Sequence, residues 1–325
     1  MGNSVSNGRL KFRINNGESV STQSGQSHLT KPPTVGEGPH FPTPLKMNAT
    51  PLPYPKADCS LRALASQAEG FGRSAIGGLH GALYHVTTLA DDGPGSLRDG
   101  CRRKEPLWIV FDLSGTIELK SIMNVSSYKT IDGRGQRIRL TEKGIRLQKC
   151  EHVIISNLEF EGGKGSDVDA IQIKPHSKHV WIDRCSLSNY ADGLVDITRE
   201  STDITISRCR FSQHNKTILI GGDPSHVGDK RIRVTIHHCF FDGTVQRHPR
   251  VRFAKVHLYN NYTRNWGIYA VCASVKSQAS RDFYFFYFFF PISDLNPNPD
   301  LLGVQYIRNG GKERGVSVLQ GEGWR

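Results

Sequence analysis

No stretch of this chain is apolar for long enough to cross a bilayer as a helix. The longest candidate, the aromatic tract of residues 283–290, spans eight positions where about twenty are needed. The N-terminus lacks the basic-then-apolar layout of a secretory signal, so the sequence points to the cytoplasm or the inner membrane surface. Seven cysteines, an odd number, do not make a complete disulfide framework. Helical periodicity is scarce as well. A short helical pattern covers Leu61 to Ala68, glycines follow at 70, 72, 77, 78 and 81, and from about Tyr84 the pattern is β. Acids are outnumbered, 30 against 42 Lys and Arg, leaving a formal charge of +12. Such a surface attracts polyanions, whether nucleic acid, acidic lipid or acidic polysaccharide, and charge alone does not choose among them. No aromatic-basic platform motif is present, so nucleic acid is not expected as a partner. What the chain does have, 37% apolar residues and 33 glycines, fits a globular protein rich in turns.

Residues 1–53 are rich in Ser, Asn, Gly, Thr and Pro with little hydrophobic periodicity, and they read as a disordered leader. The leader opens Met1-Gly2-Asn3-Ser4-Val5-Ser6, which satisfies the pattern for N-myristoylation on Gly2; a chance match is the alternative. Arg9, Lys11 and Arg13 would supply the second, basic anchor that contact with a membrane surface through one acyl chain needs.

The main organisational signal is an internal repeat. His152-Val153-Ile154-Ile155, His179-Val180-Trp181-Ile182, Asp203-Ile204-Thr205-Ile206, Arg233-Val234-Thr235-Ile236 and Lys255-Val256-His257-Leu258 align, each a polar residue followed by apolar residues at alternate positions. Five positions after the first apolar residue come Leu158, Cys185, Cys209, Cys239 and Asn261, and two further on Phe160, Leu187, Phe211, Phe241 and Thr263. The intervals of 27, 24, 30 and 22 residues indicate a solenoid or propeller. Units of several short strands without a helix favour an all-β, parallel β-helix whose equivalent residues stack about 4.8 Å apart. Cys185, Cys209 and Cys239 would then form an inward thiol ladder, which small, semi-apolar residues suit. A zinc site is the sharper alternative, but the spacing is wrong for paired ligands.

Four acids stand out in this apolar background. In Gly193-Leu194-Val195-Asp196-Ile197, Val195 and Ile197 share one face while Asp192 and Asp196 share the other. Asp167 and Asp169 sit in a turn before the strand Ala170-Ile171-Gln172-Ile173. Stacked rungs would bring the two pairs together, and their mutual repulsion would be relieved by a hard cation, Ca²⁺ more readily than zinc for oxygen-only ligands. Four solvated turn acids are the plainer reading. Lys216 follows one rung later, and Gln246-Arg247-His248-Pro249-Arg250-Val251-Arg252 puts three arginines within six residues around a proline. Acids able to hold a cation, followed by a cationic cluster, suit a polyanionic substrate bound partly through metal.

The chain resembles the pectate lyase family from about Tyr54 to Gln278. The motifs are Val86-Thr87-Thr88-Leu89, Gly93-Pro94-Gly95-Ser96-Leu97-Arg98, Ile109-Val110-Phe111-Asp112, Gly115-Thr116-Ile117, Thr130-Ile131-Asp132-Gly133, Ser166-Asp167-Val168-Asp169-Ala170-Ile171, Val180-Trp181-Ile182-Asp183, Asp192-Gly193-Leu194-Val195-Asp196 and the arginine segment. The resemblance implies a single-stranded right-handed parallel β-helix and Ca²⁺-dependent β-elimination of de-esterified polygalacturonate by a monomer. It implies that Asp167, Asp169, Asp192 and Asp196 hold calcium, that Arg247 abstracts the C5 proton, and that Lys216 and Arg252 bind substrate carboxylates. Members of the family are typically secreted to the cell wall.

There are three departures from the family pattern. Arg184 stands where the family usually has His, Asn215 where it has an acid, and residues 279–325 abandon the pattern, which leads us to expect an aberrant C-terminus and poor folding. Sequons occur at Asn48, Asn124, Asn215 and Asn261; a glycan on Asn215 would obstruct the neighbouring lysine. Two other activities stay open. A hydrolase would need paired carboxylates as acid and base, whereas here the best basic candidate is an arginine. A catalytically impaired binder of acidic polysaccharide would retain the cleft without turnover.

Overall fold

The computed structural model describes residues 59–287 and 305–306, with side chains from 61 to 277. The expected leader, including Gly2, lies outside the described residues. The short helical pattern near Leu61 is an α-helical turn, Cys59–Arg62, followed by the 3₁₀ turn Ala63–Ser66.

From Ala82 the chain winds as a parallel β-helix with three faces. The first face stacks Ala82–Val86, Leu107–Phe111, Lys129–Asp132, Glu151–Ser156, Lys178–Asp183, Thr202–Ser207, Arg233–His237 and the start of Lys255–Arg264. The second carries Gly115–Glu118, Ile138–Glu142, Glu159–Gly163, Ser186–Ser188, the first half of Arg210–Ile220 and Phe240–Gln246. The third carries Met123–Val125, Ile145–Leu147, Ile171–Ile173, Gly193–Ile197, the second half of Arg210–Ile220, Arg250–Arg252 and Cys272–Ser274. Among the described residues every pairing is parallel except that of Cys272 and Ala273 with Tyr306 and Gln305. The segment set apart in the sequence opens with a strand, Gln278–Tyr287, paired in parallel with Lys255–Arg264; apart from Gln305–Tyr306, the rest of it lies outside the described residues.

The register is the one the repeat predicts. Val153, Val180, Ile204, Val234 and Val256 are successive partners. Their side chains face inward and are buried, as are Phe160, Leu187, Phe211 and Phe241. Phe211 stacks on Phe241 at 4.9 Å between ring centres, and Phe241 on His248 at 4.9 Å. Cys185, Cys209 and Cys239 form the expected interior ladder, each thiol donating to a carbonyl one rung away, at Ile155, Ile182 and Ile206. Burial pushes the Cys185 and Cys209 thiols well above their ordinary range, as an inert, protonated thiol requires.

Outward parity on the first face places Trp108, Thr130, Ile154, Trp181, Thr205 and Thr235 in one row. The N-terminal segment crosses this row as a strap. Leu64, Ala65 and Ala75 pack with Trp108, Ile154 and Trp181 into a second small core. Three threonines accept backbone N–H groups of the strap, Thr130 from Gly78 (2.9 Å), Thr205 from Gly72 (2.9 Å) and Thr235 from Phe71 (3.0 Å). Approach is closest at Gly78, where a Cβ would stand 1.8 Å from the Leu107 carbonyl oxygen.

The joints between faces are of two kinds. From Glu151 to Gln246 first and second faces meet through two-residue corners, Asn157 and Leu158, Arg184 and Cys185, Arg208 and Cys209, His238 and Cys239, after joints of three (112–114) and five (133–137) residues on the rungs before. The first residue of each corner has φ of 57°, 50°, 52° and 54°. The joints on either side of the third face differ from rung to rung, from the two residues 253–254 to the twelve of 221–232.

Candidate functional site

Parity on the third face turns Ile171, Ile173, Val195 and Ile197 into the core and Gln172 and Asp196 outward as register partners. Leu219 follows Asp196 on the next rung and Lys216 pairs with Gly193. The outer side of this face holds a cleft of about 530 Å³. Asp167, Asp192, Lys216 and Arg247 line the margin where its strands begin, and Asp196 and Leu219 the floor. Lys174, Arg199, Gly222, Asp223 and His226 line the margin where the strands end.

The acid pairs do meet across rungs. Asp169 is 2% exposed, lying beneath the cleft rather than in its wall. Its Oδ1 accepts from the Gly193 N–H at 2.7 Å and its Oδ2 from Gln172 Nε2 at 2.9 Å. The Gln172 Oε1 accepts in turn from Arg146 Nε at 2.8 Å. Asp196 faces the same point: a Cβ on Gly193 would sit 2.6 Å from Asp169 Oδ1 and 3.2 Å from Asp196 Oδ1, so only glycine leaves room for both carboxylates. Burial first, and then the Asp169 charge, push Asp196 up to about 7. Burial likewise raises Asp169, with Asp192 adding to it. Asp192 accepts from Lys216 Nζ at 2.6 Å, and its backbone carbonyl accepts from His214 Nε2 at 2.8 Å. Burial lowers the pKa of His214, keeping that ring neutral.

Lys216 lies within the long strand Arg210–Ile220, and Pro249 falls between the strands Phe240–Gln246 and Arg250–Arg252. Arg247, at φ 66°, enters the cleft; its Nε is buried without a hydrogen-bond partner among the described residues. Arg252 does not line the cleft; its Nη1 donates to the Gly221 and Gly222 carbonyls at 2.9 Å each. Burial, then Arg250 and Arg247, lower its pKa. Arg184 lies against Asp183 in a groove with Arg134 and Arg137. Asn215 accepts from Gln246 Nε2 at 3.1 Å. Neither departure lines the cleft.

Lys174, Arg199 and Gln172 were not singled out in the sequence. Parity carried a signal for two of them, because Gln172 and Lys174 alternate with the inward Ile171 and Ile173. Arg199 sits at φ 55° just beyond a strand end, where parity says nothing.

Among the described residues no group of three or more acidic, histidine or cysteine side chains converges to hold an ion. The donors nonetheless fit a hard cation, being oxygen-only carboxylates, with Asp169 and Asp196 both raised by burial and by a neighbouring acid across a gap kept open by Gly193. Asp167, Asp169, Asp192 and Asp196 are the residues that would hold it.

Fold and cleft together define a parallel β-helix protein with a charged groove along one face. A sequence profile of the family described as Pectate lyase matches residues 115–282. An Arabidopsis thaliana protein named "Probable pectate lyase 4" is 42% identical over 232 residues, 68% of this chain and 63% of its own length. Pectate lyase 1 of Ambrosia artemisiifolia is 37% identical over 250 residues, 68% of this chain and 63% of its own length. Among solved structures, that of Jun a 1, the major allergen from cedar pollen, superposes with a TM-score of 0.66 at 30% identity, covering 81% of this chain and 92% of that one. A Bacillus pectate lyase solved in complex with trigalacturonate shares the fold, with a TM-score of 0.55 at 22% identity over 77% of this chain and 94% of that one. The chain belongs to the pectate lyase family. It spans about six tenths of the length of the two plant relatives, 63% in each case.

Proposed function

We propose that this protein cleaves de-esterified polygalacturonate by calcium-dependent β-elimination, leaving 4,5-unsaturated oligogalacturonides. One observation carries the reading: Asp192 and Asp196 share a single open cleft with Lys216 and Arg247, one to two rungs away. When bound, the cation would draw charge from a substrate carboxylate and acidify its C5 proton. Lys216, already held by Asp192, neutralises that carboxylate. Arg247 takes the C5 proton, the C5 electron pair forms the C4–C5 double bond, and the glycosidic oxygen leaves C4 with its bonding pair and takes a proton from water. The role asks a guanidinium, normally charged throughout the accessible pH range, to act as a base. Naming of plant relatives as pectate lyases supports the substrate class. The test is the ultraviolet absorbance of unsaturated product from polygalacturonate, with calcium and then with chelator. A calcium-dependent rise is expected, and a folded sample giving none would refute the reading.

A second reading, a catalytically impaired binder of acidic polysaccharide, is favoured by one feature. Arg252 is committed to two backbone carbonyls instead of the cleft. It requires calcium-dependent retention of polygalacturonate with no new absorbance.

A further inference from the structure

The cleft has two banks, and the resemblance to a family accounts for only one. Lys174 and Arg199 line the far bank, on successive rungs of the third face. Thr198 N–H bonds to the Ile173 carbonyl at 3.1 Å and His176 N–H to the Arg199 carbonyl at 2.9 Å, so the two cations spring from neighbouring turns about one strand spacing, ~4.8 Å, apart. Among the described residues neither forms an ion pair, whereas Lys216 is paired with Asp192 and Arg252 is tied to carbonyls. The acid on this bank, Asp223, is occupied by Ser225, whose N–H and Oγ both bond its Oδ1 at 2.7 Å. Two uncommitted cations on consecutive rungs match a linear polymer that repeats a carboxylate on every sugar.

We infer that Lys174 and Arg199 form a carboxylate clamp on the far bank, which grips an unesterified uronate of the chain beyond the one held at Lys216 and Arg247. The inference rests on the polygalacturonate reading and adds to it the residues that make the cleft discriminate against methyl esters. Its bland competitor is that Lys174 only balances the acid pair, since it stands near enough to Asp169 and Asp196 for its charge to act on both. A balancing charge would oppose a bound cation, so its removal would tighten calcium. A clamp's removal would weaken the polymer.

The experiment measures two affinities for each of Lys174→Gln, Arg199→Gln and the control Lys255→Gln. Lys255 is exposed at the start of a strand on the first face and removes the same unit of charge outside the cleft. Calcium alone is titrated by calorimetry. Polygalacturonate is then titrated at saturating calcium, once de-esterified and once methyl-esterified. The clamp is expected to lose about tenfold in affinity for the de-esterified polymer in each cleft variant, about what a directly recognised charge is worth. The esterified polymer and the control should change less than about twofold. Equal loss on both polymers, or tighter calcium with unchanged polymer affinity, would overturn the clamp. Wild-type protein that binds without cleaving, with Lys174→Gln weakening that binding, would sink the lyase reading and uphold the clamp. Wild-type protein that does not bind the polymer overturns both.

Discussion

Each acid of the cleft has a different environment, and the environments predict separate behaviours. Arg247→Lys should lower turnover by at least about a hundredfold, since ammonium cannot replace the guanidinium's fixed fork, while a calcium titration stays unchanged; retained activity removes Arg247 from the mechanism. Asp196 titrates near 7 instead of 3.8 because it is buried beside Asp169. Its folded-state pKa is raised, so the folded protein holds a proton that the unfolded chain gives up. Metal-free stability on its account is greatest below about pH 4 and falls as pH climbs toward 7. Melting in chelator should therefore drop across that window in the wild type, and the drop should shrink in Asp196→Asn, leaving the part that buried Asp169 contributes, and vanish with excess calcium. His248, fully enclosed and pushed down to about 3 by burial, acts in the opposite sense, its contribution complete above about 6.5 and lost as pH falls toward 3. The difference between wild type and Asp196→Asn isolates the carboxylate. An Asp196→Asn curve that falls as far as the wild type's would refute the assignment, as would unaltered calcium affinity in Asp196→Ala. These acids were legible in the sequence because they interrupt apolar alternation. Parity marked Lys174 as outward but not as part of a site, and Arg199 not at all, because a lone cation at a strand end looks like any solvated charge until the rungs are stacked.

At the level of strands and strap, the repeat is a literal register: equivalent residues from Val153 to Val256 are neighbours in the sheet. Alternation is enough for this, because a one-residue slip would turn every valine outward. Phe241→Ala, which deletes a ring stacked on both Phe211 and His248, should destabilise by about 3–5 kcal/mol in denaturant titration; a loss under about 1 kcal/mol would mean that the stack is not what holds those rungs. The strap was invisible because its anchors are backbone N–H groups, which no side-chain pattern reports. Its cover was the readable part: Trp108, Ile154 and Trp181 fall on outward positions, and large apolar residues there need something over them. Thr205→Val removes the buried acceptor of the Gly72 N–H and should cost about 1–3 kcal/mol. Hydrogen exchange at residues 70–74 should rise by tenfold or more. Unchanged protection there would show that Trp181 and its neighbours hold the strap unaided.

For the whole molecule, the balance of 42 Lys and Arg against 30 Asp and Glu should govern how fast an acidic polymer arrives. Association with polygalacturonate is expected to slow at least tenfold between about 0.05 and 0.5 M salt, as screening shortens the reach of exposed charge, while the calcium affinity of the enclosed acids changes less. Rates indifferent to salt would argue against long-range steering. Length is distributed around the helix as unevenly as charge. From Glu151 to Gln246 every corner between the first and second faces takes two residues, against three and five on the rungs before, whereas the joints flanking the third face run from two to twelve. On the rungs that build the groove the chain thus keeps a fixed count at that corner and spends its insertions on the groove's banks. A lineage starting from this molecule could widen, narrow or recharge its groove one loop at a time, and no strand pair would have to be relearned.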